Sequence, residues 1–194
     1  THLGWAILAV ALAIVAVLWA LLGRGTPQPE QAEPSPPPAR PLAIVEANDF
    51  DPREDGGSGQ ENPKQASLAI DGDPDTFWRT ERYRKLPTFG GLKPGVGLVL
   101  DLGSEKPVRE IGLTMSGAAT GLEIAVPAEP TTSEPPMESE ALWRRLAKAT
   151  STGGRVEISF PEVRSRFVLV YLTSLPPVED GYFRGAIAEV EVLG

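Results

Sequence analysis

Residues 66–80 read Ala-Ser-Leu-Ala-Ile-Asp-Gly-Asp-Pro-Asp-Thr-Phe-Trp-Arg-Thr. Three carboxylates (Asp71, Asp73, Asp75) and Thr76 surround Gly72 and Pro74, and an aromatic pair, Phe77-Trp78, follows directly. Glycine reaches backbone angles that other residues resist, proline fixes the next bend, and Asp and Thr side chains bond back to nearby main chain. The stretch is therefore a tight, oxygen-rich turn closed against a core. Two readings of its oxygens stay open: a cation site, or a metal-free turn in which the carboxylates bond backbone amides.

Composition narrows what can surround this turn. The chain has 194 residues, 20 Gly, 20 Pro, no Cys and one His, and carries 26 acidic against 18 basic residues for a net charge of -8. Thiol catalysis, thiolate metal sites and disulfides are excluded, though lack of Cys says nothing about compartment. The one histidine, His2, stands at the N-terminus, so histidine triads and His-ligated zinc are not expected in the main domain. The acidic balance argues against nucleic acid as a partner.

Residues 3–22 form an uncharged apolar run with Trp5 and Trp19 near its ends. As a helix it spans about 30 Å, the thickness of a bilayer core. A signal peptide is the rival reading, but no basic leading region is present and the run exceeds a signal core. Residues 1–23 are expected to be one transmembrane helix. The opening Thr implies the tail of a longer protein. Few basic residues follow the span, with Arg24, Arg40 and Arg53 alone before Lys64, so residues after 23 are placed outside the cell membrane. Residues 24–41, with Pro27, Pro29, Pro34, Pro36, Pro37, Pro38 and Pro41, read as a semi-rigid polyproline stalk.

Residues 42–194 switch to short apolar or alternating runs punctuated by Gly, Pro and Asp. Strands are expected near 43–47, 97–102, 108–115, 121–126, 142–148, 155–160, 166–173 and 186–193. Residues 139–149 have helical propensity with Ser139 as cap, yet alternate as a strand, and the context favours the strand. Residues 127–136 read as a flexible surface excursion. The fold class expected is all-β, a sandwich or jelly roll of about eight strands.

The run Ala69-Ile-Asp-Gly-Asp-Pro-Asp-Thr-Phe-Trp-Arg-Thr resembles the Ala-x-Asp-Gly and Thr-x-Trp motif of the discoidin, or coagulation factor 5/8 type C, family of galactose-binding-like jelly rolls. Arg166-Phe-Val-Leu-Val-Tyr-Leu-Thr and Ile187-Ala-Glu-Val-Glu-Val are similar to that family's closing strands. Phe50-Asp-Pro-Arg-Glu-Asp-Gly, Tyr83 and Phe89-Gly-Gly-Leu-Lys-Pro-Gly-Val-Gly-Leu, behind an apolar run and a Pro-rich stalk, also resemble the membrane-anchored C-terminal domain of actinobacterial MviN-type lipid II flippases and kinase-like receptors.

The discoidin resemblance implies a structural calcium in the Asp-Gly loop. Its ligands would be the Asp71 and Glu189 carboxylates, Thr76 through hydroxyl and carbonyl, and main-chain oxygens of Leu68, Asp73 and Ala188. Calcium suits an all-oxygen donor set. Trp78 reads as a core anchor, with a sugar platform as the alternative.

The locally basic region of this acidic domain is 79–93. Arg79, Arg82, Arg84, Lys85 and Lys93 stand there with Tyr83 and Phe89 between them and Glu81 opposing. Aromatic faces stack on sugars and Arg forks hold carboxylate or phosphate. The candidate ligand residues are therefore Arg79, Arg82, Tyr83, Arg84 and Lys93, with Tyr182 (beside Phe183) on a neighbouring rim. An anionic cell-wall glycan or lipid-linked precursor is the expected ligand, and a solvated charged loop is the alternative. The acidic run Asp49, Asp51, Glu54, Asp55 and Glu61, with Gly56, Gly57 and Gly59, lacks EF-hand spacing and reads as a mobile loop.

No Gly-x-Ser-x-Gly or Walker pattern occurs, and nothing places two carboxylates in a cleft, so no enzyme is expected. The function expected is a noncatalytic, membrane-tethered extracytoplasmic binding or sensor module. The alternative is an assembly domain that positions a parent membrane protein through contacts with an envelope protein.

Overall fold

The computed structural model describes residues 39–117 and 119–194, and the compact unit within it runs Ala39–Gly194. The expected span at 3–22 and stalk residues 24–38 lie outside these. Among the described residues no helix is long and apolar enough to cross a membrane. Pro41, assigned to the stalk, is already in a strand.

The strands are β1 (Pro41–Leu42), β2 (Glu46–Phe50), β3 (Trp78–Arg79), β4 (Tyr83–Arg84), β5 (Val96–Ser116), β6 (Thr120–Pro127), β7 (Trp143–Ser151), β8 (Gly154–Ser174), β9 (Tyr182–Phe183) and β10 (Ala186–Leu193). One sheet orders β1-β10-β5-β8-β6-β7, with β2 also on β5 and β3 also on β10; β4 and β9 pair separately. Every pairing is antiparallel. The all-β class expected from the sequence is the class observed, and the terminal strand 186–193 stands where it was expected.

Four expected strands merge into two. Residues 97–102 and 108–115 belong to β5, and 155–160 and 166–173 to β8, each 21 residues long. The β5–β8 register shifts between Asp101 and Lys106 and again between Val108 and Glu110. Such irregularities bend a strand without ending it, and let one hydrogen-bonded sheet fold over on itself. The Gly and Pro at 103 and 107 that read as a turn mark this corner. Gly103 sits at φ 74 and donates its amide to Asp101 Oδ1 at 2.7 Å. Residues 143–151 are strand, as context favoured, and Glu140–Leu142 forms a 3-10 turn before it.

The inner face buries Trp78, Leu98, Leu100, Ile111, Leu113, Leu122, Ile124, Val168, Val170, Leu172, Ile187 and Val192. A second cluster, Phe50, Val99, Ala125, Trp143, Phe167, Leu169 and Tyr171, covers the opposite face of β8. Residues 167–172 are thus buried on both sides, which explains an apolar run with no alternation. Trp78 is fully buried and donates Nε1–H to the Glu61 carbonyl at 2.8 Å, so it is a core anchor and not a sugar platform.

The acidic run at 49–61 is closely packed. Lys93 Nζ bonds Asp51 Oδ1 at 2.5 Å and Glu61 Oε2 at 3.1 Å, and all three side chains are buried. Tyr83 Oη donates to Glu61 at 2.8 Å, and the Glu81 amide reaches Glu61 Oε1 at 2.7 Å. Burial pushes the Glu61 carboxyl up, with the Lys93 charge and these hydrogen bonds opposing. Gly57 lies so close that a Cβ there would stand 2.2 Å from Asp51 Oδ1. The glycines that suggested mobility instead permit close packing around a carboxylate.

Replacing Lys93 by Met leaves two buried carboxylates without their cation. The expected loss is about 3–5 kcal/mol in urea unfolding, and a loss below about 1 kcal/mol would show the knot to be unimportant.

Asp101 tests the corner. Arg166 grips it bidentately at 2.8 and 2.7 Å, and this bond, aided by the Gly103 amide, holds the carboxyl below its ordinary 3.8. A depressed acid stabilises the fold above its unfolded value and loses that contribution as pH falls through the folded one. Unfolding followed between neutral pH and pH about 2 should therefore be less acid-dependent in Asp101→Asn.

Candidate ligand face and oxygen-rich loop

The loop quoted at the outset folds as a pair of Asx turns. The Asp73 amide bonds Asp71 Oδ1 at 2.9 Å and the Asp75 amide bonds Asp73 Oδ1 at 3.0 Å. Thr76 Oγ1 then lies within 3.3 Å of four acceptor oxygens, namely Leu68 O, Asp73 O and both oxygens of Asp71. A hydroxyl has one proton to give, so these oxygens converge on too few donors. Across from them, Glu189 Oε1 is buried without a partner. Burial pushes the Glu189 carboxyl up; the Gly72 and Asp73 amides oppose this and the Asp71 charge adds to it. The Asp73 amide holds Asp71 down. Ala188 stands where the β10–β5 register skips, between Ile187 and Glu189.

The structure thus brings Leu68, Asp71, Asp73, Thr76 and Glu189 together, with Ala188 adjoining. The donors are all oxygen and one carboxylate oxygen is orphaned, which suits a hard cation such as calcium. Among the described residues no group of three or more Asp, Glu, His or Cys side chains is placed to hold a metal ion, so only two carboxylates would supply charge here.

The basic stretch divides. Exposure alternates at β4 and the residue before it: Tyr83 is buried while Arg82 and Arg84 are exposed. Tyr83 is buried, edge-on to Phe89 and bonded to Glu61, and Lys93 is buried between two carboxylates. Neither is part of an exposed ligand surface, a correction to the expectation for both. Burial and the Glu61 charge raise the Tyr83 phenol well above its ordinary value.

Arg82 and Arg84 remain exposed and are brought to Tyr182. Register places Arg84 directly opposite Tyr182 across β4–β9, and the two guanidinium carbons lie 4.2 and 4.4 Å from that ring's centroid. Arg79 stacks on Phe77 at 4.8 Å. Arg184, half-buried two residues after Tyr182, donates Nε–H to the Thr80 carbonyl at 2.8 Å. Sequence reading omitted Arg184. Its signal was present in Asp-Gly-Tyr-Phe-Arg-Gly, a second Arg-aromatic run, but its pairing with 79–84 is a long-range contact. Leu86 and Leu92, 50% and 71% exposed, stand on the adjacent loop.

No protein-family model matches the chain. Among solved structures, a chitosan-binding module from a Paenibacillus sp. IK-5 chitosanase/glucanase is similar at TM-score 0.56 and 23% identity, covering 80% of this chain and 99% of that one. The CBM32 domain of AlyQ, solved with 4,5-unsaturated mannuronic acid, is similar at TM-score 0.53 and 18% identity, covering 79% and 97%. A CBM32 domain of Clostridium perfringens GH89 is similar at TM-score 0.50 and 15% identity, covering 76% and 93%. The chain therefore has the galactose-binding-like β-sandwich fold of these CBM32 modules.

Proposed function

We propose that the chain is a noncatalytic glycan-binding module, and that Arg79, Arg82, Arg84 and Arg184 around Tyr182 form its ligand face. The observation that carries this reading is the joining of two sequence-distant Arg-aromatic runs on one exposed surface by the β4–β9 pair. The fold supports it, since the similar structures are modules described as binding chitosan or holding a mannuronic acid. Fold alone does not carry function, so the residues of the face bear the weight.

In this reading residues 1–23 anchor the module in the cell membrane, 24–38 hold it off the surface, and it faces a cell-wall glycan or lipid-linked precursor outside. The resemblance of residues 50–56, Tyr83 and 89–98, behind the apolar run and Pro-rich stretch, to MviN-type flippase tails supports that setting. The assembly alternative draws on Leu86 and Leu92, an exposed apolar pair suited to a protein contact.

The glycan reading is tested by retention of the full chain on immobilised chitosan oligomers, mannuronate oligomers and GalNAc-terminated glycans. Retention on at least one is expected, falling about tenfold in Tyr182→Ala with the thermal midpoint unchanged. If the unaltered chain is retained on none, the reading fails.

The oxygen-rich loop belongs to the same proposal as a staple. Asp71, Glu189, Thr76 and main-chain oxygens of Leu68, Asp73 and Ala188 would hold calcium, which would neutralise two facing carboxylates and tie the loop to β10. Adding calcium to chelator-treated protein should raise the melting temperature by several degrees, and Glu189→Gln should abolish the rise. An unchanged midpoint in the parent chain would mean the loop is complete without a metal.

A further inference from the structure

Four arginines elsewhere in this domain meet carboxylates. Arg145 bonds Glu123 and Glu140, Arg155 bonds Glu191 at 2.5 Å, Arg164 bonds Glu105 at 2.7 Å and Arg166 bonds Asp101 at 2.7 Å. On the proposed ligand face four arginines without such a partner are grouped around one ring. Arg79, Arg82, Arg84 and Arg184 form no ion pair among the described residues, although the chain as a whole carries a net charge of -8. Carboxylates nearby include Glu81 and Glu61, whose charges reach Arg184, and Glu179. Glu179 lines, with Arg82, Arg184 and Val178, an open hollow of about 470 Å³. None of the three pairs with these arginines.

Gathering like charges has a cost, and it shows at Arg184. Burial, and then the charges of Arg79 and Arg82, hold that guanidinium below its ordinary value. The Tyr182 ring partly offsets this cost by stacking on Arg82 and Arg84. It also holds the two guanidinium groups beside the ring, where neither donates a hydrogen bond to a described residue, so their N–H groups are unused donors. A sugar ring stacking on Tyr182 would have to displace those cations. The aromatic residue thus orients donors, and the group that suits such donors is an oxyanion.

We propose that this face recognises an oxyanionic substituent, a carboxylate or a phosphate ester, carried on the glycan. Arg82 and Arg84 supply the forks, and Arg184 and Arg79 add positive potential beside them. This rests on the glycan-binding reading and adds the chemical class that the site selects.

The test titrates the full chain with polygalacturonate and phosphomannan against neutral galactan and mannan, at low and high salt. Polyphosphate without sugar serves as a further probe. At least one charged glycan should bind about tenfold or more tighter than its neutral counterpart, and more weakly at high salt; which one it is separates carboxylate from phosphate. The double variant Arg82→Ala/Arg84→Ala should lose about tenfold or more, and Arg82→Lys/Arg84→Lys should recover only part, because the charge returns without the fork. Both side chains are exposed, so an unchanged circular dichroism spectrum and melting temperature exclude misfolding as the cause. Neutral and charged glycans binding equally would overturn the oxyanion assignment and leave the glycan reading standing. Full affinity in the double Ala variant would also overturn it. Polyphosphate binding as tightly as the charged glycans, lost in the same variant, would support the oxyanion site and remove the glycan reading instead.

Discussion

The ammonium of Lys93, buried between Asp51 and Glu61, holds together the part of the molecule that carries the proposed ligand face. Two carboxylates out of water are costly, and the cation, the Tyr83 hydroxyl and the backbone amides of Ser58 and Glu81 together satisfy them. Glu61 also accepts the Trp78 indole on its carbonyl, so the polar knot is fastened to the apolar core. Satisfying Glu61 requires Tyr83 to point inward. Strand alternation then sends Arg82 and Arg84 outward. A buried electrostatic requirement thereby decides the composition of an exposed surface.

The sandwich supplies the frame for that knot. β5 and β8 run through the corner as continuous strands, so both layers share one hydrogen-bond network. Residues 167–172 lie at its centre with both faces covered. The Asp101–Arg166 bond and the Gly103 turn sit where the irregularity bends the pair. At another point β10 carries Glu189 past the Asp-Gly loop, and its skipped register at Ala188 breaks the ladder there. In both places an interrupted ladder sits beside a carboxylate with a specific role, as bulges often re-aim side chains.

The ligand face and the oxygen-rich loop use opposite electrostatics. The loop gathers acceptor oxygens with one shared hydroxyl proton, while the face gathers guanidinium donors without carboxylates. Each is a local concentration of one kind of hydrogen-bonding group. Such imbalances cost stability unless something outside the chain balances them, which is why both read as places for a bound species.

Local chemistry was enough to establish the Asp-Gly turn, the all-β class, the strand at 186–193 and the exposed Arg82 and Arg84, because turn residues, alternation and charge act within a few residues of one another. Residues 42–194 also carried the resemblance to galactose-binding-like folds, and the structure has that fold. Tertiary structure alone decided that 97–102 and 108–115 are one strand, since Gly103 and Pro107 punctuate the sequence as if between two strands and only the pairing with β8 runs across both halves. It decided that Lys93 and Tyr83 are interior, because their partners Asp51 and Glu61 lie 42 and 22 residues away. And it decided that Arg184 joins Arg82, through a two-residue strand pair too short to leave any periodicity in the sequence.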